Sequence, residues 1–197
     1  MKKINLLLIV IASIGGIYCG INRIIDGDFY RFLICLSIIP VMLIPKILKI
    51  CFKINLTSTL EFIYLVFIFA SHFLGSIVDF YHTINNYDKI MHFLSGIITA
   101  FLGLYTLINF GKYDQKNIFF NILFIISFVL MIASFWEFFE YFSDILFKQD
   151  AQNVLTTGIH DTMKDMIAAF LGSILFSVMC VYEEKSGNNM LINKLTI

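Results

Sequence analysis

The sequence predicts an all-α fold, a polytopic transmembrane helical bundle of about six membrane-spanning helices. Three observations predict it. Of the 197 residues, 59% are hydrophobic and only 14% are charged, whereas roughly a quarter of a soluble domain is charged. Apolar runs of about 20 residues, the length that crosses a hydrocarbon core, recur along the whole chain. The turns between them are short and polar, and neither a soluble domain nor a low-complexity stretch fits anywhere, so residues 1–197 read as a single integral membrane domain.

Segment one, 4–22, follows "MKK" and has the charged and then apolar pattern of a secretory signal. Tyr18 before Cys19 spoils a lipoprotein-type cleavage site, and Gly16 and Gly20 make a GxxxG contact face. An uncleaved helix is therefore expected. Segment two, 29–48, lies between the polar turns "NRIIDGDF" and "KICFKINLTS". Segment three, 59–81, carries His72 and Asp79, with His82 just beyond it. Segment four, 89–110, opens within "YDKIMHFLSG"; segment five, 117–142, leads into "SFWEFFEYFSD"; segment six, 162–182, begins in "HDTMKDMIAAFLGS". The connection before segment six, "SDILFKQDAQNVLTTGIHD", is the long one.

Formal net charge is zero and no Lys/Arg run is interleaved with aromatics, which argues against a nucleic-acid partner. Cys19, Cys35, Cys51 and Cys180 are single and widely spaced, so they read as small buried apolar residues and not as a thiolate metal site. Orientation follows the basic residues. With the N-terminus in the cytoplasm, nine Lys, among them Lys2, Lys49, Lys112 and Lys194, fall on that side, and Arg23, Arg31, Lys89, Lys148 and Lys164 fall on the other. An even number of spans then returns the C-terminus to the cytoplasm.

That topology sorts the polar residues. Asp79 and His82 close segment three, Asp88 and His92 open segment four, Glu137 and Glu140 close segment five, and His160, Asp161 and Asp165 open segment six. Four helices thus deliver acids and imidazoles to one membrane side. Helical spacing aligns Asp88, His92, Ser95, Gly96, Thr99, Gly103 and Thr106 on one stripe, Asp161, Asp165, Ala168, Ala169, Gly172 and Ser173 on a second, and His72, Gly75, Ser76, Asp79 and His82 on a third. Small residues let backbones approach, so these stripes are expected to face each other.

Converging carboxylates repel unless protons or a cation intervene. A divalent metal, Zn, Mn, Fe or Mg by ligand hardness, is the economical solution. Its candidate ligands are Asp88, His92, Glu137, Glu140, Asp161 and Asp165, with His92, Glu137 and Asp165 as candidate catalytic groups. His72, Asp79, His82 and His160 are candidates for a supporting shell or an ion path, and Lys89 and Lys164 for contact with a headgroup phosphate. Three functions fit this pattern: a membrane-embedded enzyme acting on a lipid or lipid-linked headgroup, a small ion or proton transporter, and a non-catalytic subunit that binds a partner through its long loop.

The order "YDKIMHFLSG", "WEFFEYFSD", "DTMKDMIAAFLGS" in a chain of this length resembles the YjdF-like bacterial inner-membrane proteins from residue 60 onward. The resemblance implies a multi-pass protein of the bacterial cytoplasmic membrane and names no activity. A fainter likeness is to the VanZ family: Asp88, Lys89 and His92 match its first element and Glu137 its second. Glu140 stands where that family commonly has Gln, and Asp165 with "MIAAFLG" lacks its usual Asn, so teicoplanin resistance does not carry over.

Overall fold

The computed structural model describes residues 2–51, 53 and 56–187, and these contain helices and turns but no strand. Contacts group the chain into two compact units, Met1–Asp88 and Lys89–Ile197, with a boundary inside a helix that the sequence does not mark.

The first unit opens with α1 (Lys2–Ile25) and α2 (Phe29–Met42). Between them Gly27 takes a φ of +74°, and the Asp28 carboxylate accepts the Arg31 N–H to cap α2. The GxxxG face of α1 meets α2 as expected: a methyl on Gly16 would overlap Ile38, and one on Gly20 would press on Cys35. Ala12, Cys35, Ile38, Met42 and Leu65 form the core around this contact.

Segment two does not run straight to residue 48. It breaks at Leu43 into α2 and α3 (Ile44–Cys51), bent by 50°. Pro40 and Pro45 explain the break, because each lacks the N–H that its helix rung needs. Among the described residues five helices are long and apolar enough to cross a membrane, and six if this bent pair counts as one span. Cys51 ends α3 in an exposed position, contrary to the buried role expected of it, whereas Cys35 is buried; all four cysteines are free.

Segment three divides as well. After α4 (Ser58–Ile68), residues Phe69–Ile77 continue as a π-helix, and the Val78 N–H reaches the Phe73 carbonyl five residues back. This widening sets His72 beside α2, where its Nε2 lies 2.9 Å from Ser37 Oγ and 3.2 Å from the Ile34 carbonyl oxygen. Asp79, at φ +74°, ends the π segment, and the short α5 (Phe80–Thr83) leads to α6 (Tyr87–Asn109).

The second unit contains the rest of α6, then α7 (Ile118–Phe147), α8 (Val154–Thr157) and α9 (His160–Ser186). Its core joins Ala100, Leu104 and Leu107 of α6, Ile125, Val129 and Ala133 of α7, and Ala169 and Phe176 of α9. A methyl on Gly96 would overlap the Ala169 carbonyl, and one on Gly172 would overlap the Phe93 carbonyl. The small-residue stripes of α6 and α9 therefore do face each other. At 30 residues α7 is about 45 Å long, more than a hydrocarbon core requires, so it continues past residue 142. At its start Asn121 is buried and clasps the preceding turn, donating to the Asp114 carbonyl at 2.9 Å and accepting the Asp114 N–H at 3.4 Å. Lys194, counted above on the cytoplasmic side, lies outside the described residues.

Candidate functional site

The first turns of α6 and α9 carry the chemistry, and glycine packing one turn deeper sets their separation. His92 lies four residues before Gly96, and Asp165 four before Ala169, so the backbone contact between Gly96 and Ala169 brings the two side chains together. His92 Nε2 and Asp165 Oδ1 are 3.9 Å apart, with side chains only 12% and 4% exposed. Asp88, on the same helix face as His92, completes a trio in which one ligand atom from each residue lies within 4.8 Å of the others.

Lys89 connects this trio to a third carboxylate. Its ammonium donates to Asp165 Oδ1 at 2.7 Å and to Asp161 Oδ1 at 2.6 Å. Asp161 Oδ2 accepts in turn from Asn153 Nδ2 at 2.7 Å. Asp165 is thus shared between the ion pair and the trio. These donors are oxygen and imidazole nitrogen, the set that suits Mg, Mn, Fe or Zn.

Of the six residues expected as ligands, Asp88, His92 and Asp165 come together. Asp161 is held by Lys89 and Asn153. Glu140 accepts the indole N–H of its own helix neighbour Trp136 at 2.8 Å. Glu137 is buried on α7, only 5% exposed. Lys89, expected at a phosphate, holds two aspartates, while Lys164 and His160 are exposed on α9. His82 pairs with Asp79 at 2.6 Å on the surface of the first unit, and His72 is engaged by α2.

The loop before α9 supplies residues that the sequence reading did not single out. The Asp144 carboxylate accepts the Ala151 N–H at 2.6 Å and the Gln152 N–H at 3.1 Å, folding the loop back onto the end of α7. Gln152 Nε2 reaches the Glu137 carbonyl and Thr162 Oγ1, each at 3.4 Å. Asn153 takes a left-handed φ of +53°, which Asn tolerates better than most residues, and this aims its amide at Asp161. The available signal was an Asp at the end of one helix and an Asn shortly before the next, both residues that bond to backbone in turns.

No curated protein and no solved structure matches the chain. A family described as "Predicted membrane protein (DUF2238)" matches residues 4–186; the match bears on neither the YjdF-like nor the VanZ likeness. It spans both units and every residue of the site, and with five or six apolar helices of crossing length it makes this a multi-pass membrane protein. The chain belongs to the DUF2238 family of predicted membrane proteins.

Proposed function

We propose that this protein is a metal-dependent membrane enzyme acting on a lipid or lipid-linked headgroup, with Asp88, His92 and Asp165 as its metal ligands. The observation that carries the reading is their proximity: one ligand atom from each lies within 4.8 Å of the others, at the start of a membrane-crossing helix. Charge supports a cation there. Three carboxylates, Asp88, Asp161 and Asp165, converge beside Lys89 and His92, and converging carboxylates repel unless a cation or protons intervene.

When bound, such a cation supplies Lewis acidity toward a headgroup phosphoryl oxygen. The chain's own residues do the remainder. Lys89 holds Asp161 and Asp165 in fixed rotamers and keeps a positive charge beside the headgroup. Asp161, outside the ligand trio and held beside it by Lys89 and Asn153, is the carboxylate placed to take a proton from an attacking hydroxyl or water. The Lys/Arg bias supports a site on the outer face of a bacterial cytoplasmic membrane, with both termini in the cytoplasm.

A transport path draws less support. It needs polar groups continuing along the helix, but Ser95 and Thr106 donate to the carbonyls of His92 and Leu102 in their own helix. The test is elemental mass spectrometry of detergent-purified protein, prepared without chelator, beside His92→Ala and Asp165→Asn, with Lys164→Ala as a surface control. Near-stoichiometric metal in the wild type and control, lost in both site variants, is the expected result. A metal-free wild type overturns the reading.

A further inference from the structure

A second feature of the same unit lies on its lipid-facing side. Ser134, Glu137, Phe138, Tyr141 and Phe142 follow one another at helical spacing along α7, and with Thr162 and Met166 of α9 and Gln152 of the loop they line a cavity of about 580 Å³. That volume is within the range of small-molecule pockets. The wall is mostly apolar. Phe138, Tyr141 and Phe142 are each more than half exposed on a membrane-crossing helix, so the mouth of the cavity opens toward lipid. Glu137, also in the lining, is buried, with Gln152 and Thr162 beside it.

We propose that this cavity binds one hydrocarbon chain of a lipid whose polar end carries a hydrogen-bond donor, a hydroxyl or an ammonium, directed at the Glu137 carboxylate. Two arguments select this occupant. An apolar recess opening within the bilayer meets hydrocarbon chains before it meets water. An ionisable group inside a membrane is expensive and marks a pairing or substrate site; a buried carboxylate in the lining of a mostly apolar recess is an acceptor for a donor on an otherwise apolar ligand.

The site adjoins the polar cluster through two pairs of sequence neighbours. Gln152 borders the cavity while Asn153 holds Asp161, and Thr162 lines the cavity beside Asp161. A lipid seated there presents its head near Lys89 and the Asp88–His92–Asp165 trio, which defines the substrate class as a single-chain amphiphile or one chain of a larger lipid. That last step rests on the metal-enzyme reading; the binding site does not.

The probe is hexadecanol carrying a photoactivatable diazirine in mid-chain, photolysed with the full-length protein in detergent, with labelled peptides mapped by mass spectrometry. Label concentrated in the 134–142 and 162–166 stretches supports the proposal, provided that it disappears in both Ser134→Trp and Met166→Trp and persists in Met131→Trp, which adds the same bulk on an exposed part of α7. Weaker labelling by the matching hexadecane probe, and by hexadecanol on Glu137→Leu, supports the donor requirement. Label spread over every lipid-facing helix, or unchanged by either cavity-filling Trp, overturns the proposal. Two variants guard against misfolding of one, each accepted only if monodisperse. Metal measured on the same samples separates the two readings, since focused label without metal removes only the enzyme and metal without focused label removes only the lipid site.

Discussion

The backbone of Gly96 lies against the carbonyl of Ala169, with no room between them for a methyl group. One turn toward the membrane surface, the same two helices carry His92 and Asp165 at 3.9 Å. The packing of two residues with almost no side chain therefore fixes the spacing of two residues with the most chemistry.

Gly96→Ala tests that dependence. The added Cβ meets backbone, not a flexible side-chain end, so α6 and α9 must separate, at a cost of about 1–3 kcal/mol for overpacking. His92 and Asp165 move apart with them. The expected outcome is a lower thermal midpoint in detergent together with, at the proposed metal site, about 10-fold to 100-fold weaker binding, the size of effect seen when support around a ligand is lost. A stable variant with unchanged metal affinity would show that the glycine contact and the site are independent. Gly103→Ala is the matched control, because its Cβ would meet Phe128 and Ile125 at ordinary contact distances of 3.4 to 3.5 Å.

Lys89→Met removes the ammonium that holds Asp161 and Asp165. Breaking a buried ion pair by deleting one partner costs about 3–5 kcal/mol, because the remaining charge stays buried; the 25% exposure of Lys89 places this variant toward the lower end. The two carboxylates then need another cation. Added Mn²⁺ or Mg²⁺ should therefore raise the thermal midpoint of Lys89→Met more than that of the wild type, by binding linkage. Equal shifts in both proteins would separate the lysine from the metal site.

Asp144→Ala should loosen the loop without unfolding the helices. Two backbone N–H groups lose a charged acceptor, at about 1.5–3 kcal/mol per bond if the groups stay dry and less where water replaces the carboxylate. The expected result is faster amide hydrogen exchange and proteolytic nicking across 149–158, while α7 and α9 keep their protection. Asn153→Ala should leave the Asp144 clamp in place and remove one of the two donors to Asp161, with Lys89 keeping the other. If Asp144→Ala left exchange in the loop unchanged, the clamp would not be what orders it.

Much of this was legible in the sequence. Uninterrupted apolar length identified the spanning segments, because a bilayer admits few other arrangements. The small-residue stripes on α6 and α9 identified their contact, because in lipid close backbone approach replaces hydrophobic collapse as the packing force. The break at Leu43 was encoded by Pro40 and Pro45 but concealed by apolar continuity. The π segment around His72 left no compositional signal, since it changes rung spacing and not residue type. At the site, spacing correctly paired Asp88 with His92 and aligned Asp165 opposite them. It could not reveal that Lys89 turns inward to two aspartates, because a lysine near a helix end is equally suited to headgroups, and the partners that decide lie 72 and 76 residues away.

Tyr113 offers a pH-dependent check at the other end of the second unit, in the turn between α6 and α7. Burial, and then the negative charge of Glu184, push its phenol from the ordinary 10 up to about 12. The sign follows from proton binding. Between these two values the unfolded chain has released the Tyr113 proton and the folded chain has kept it, so stability from this group is complete below pH 10 and is lost as pH rises toward 12. Thermal midpoints measured across that window should fall more steeply for the wild type than for Tyr113→Phe, which has no proton to lose. The two curves should differ by a constant offset below the window and converge within it. Parallel curves throughout would mean that Tyr113 titrates alike in both states, and that its packing against the α9 end is not retained in the membrane protein as purified.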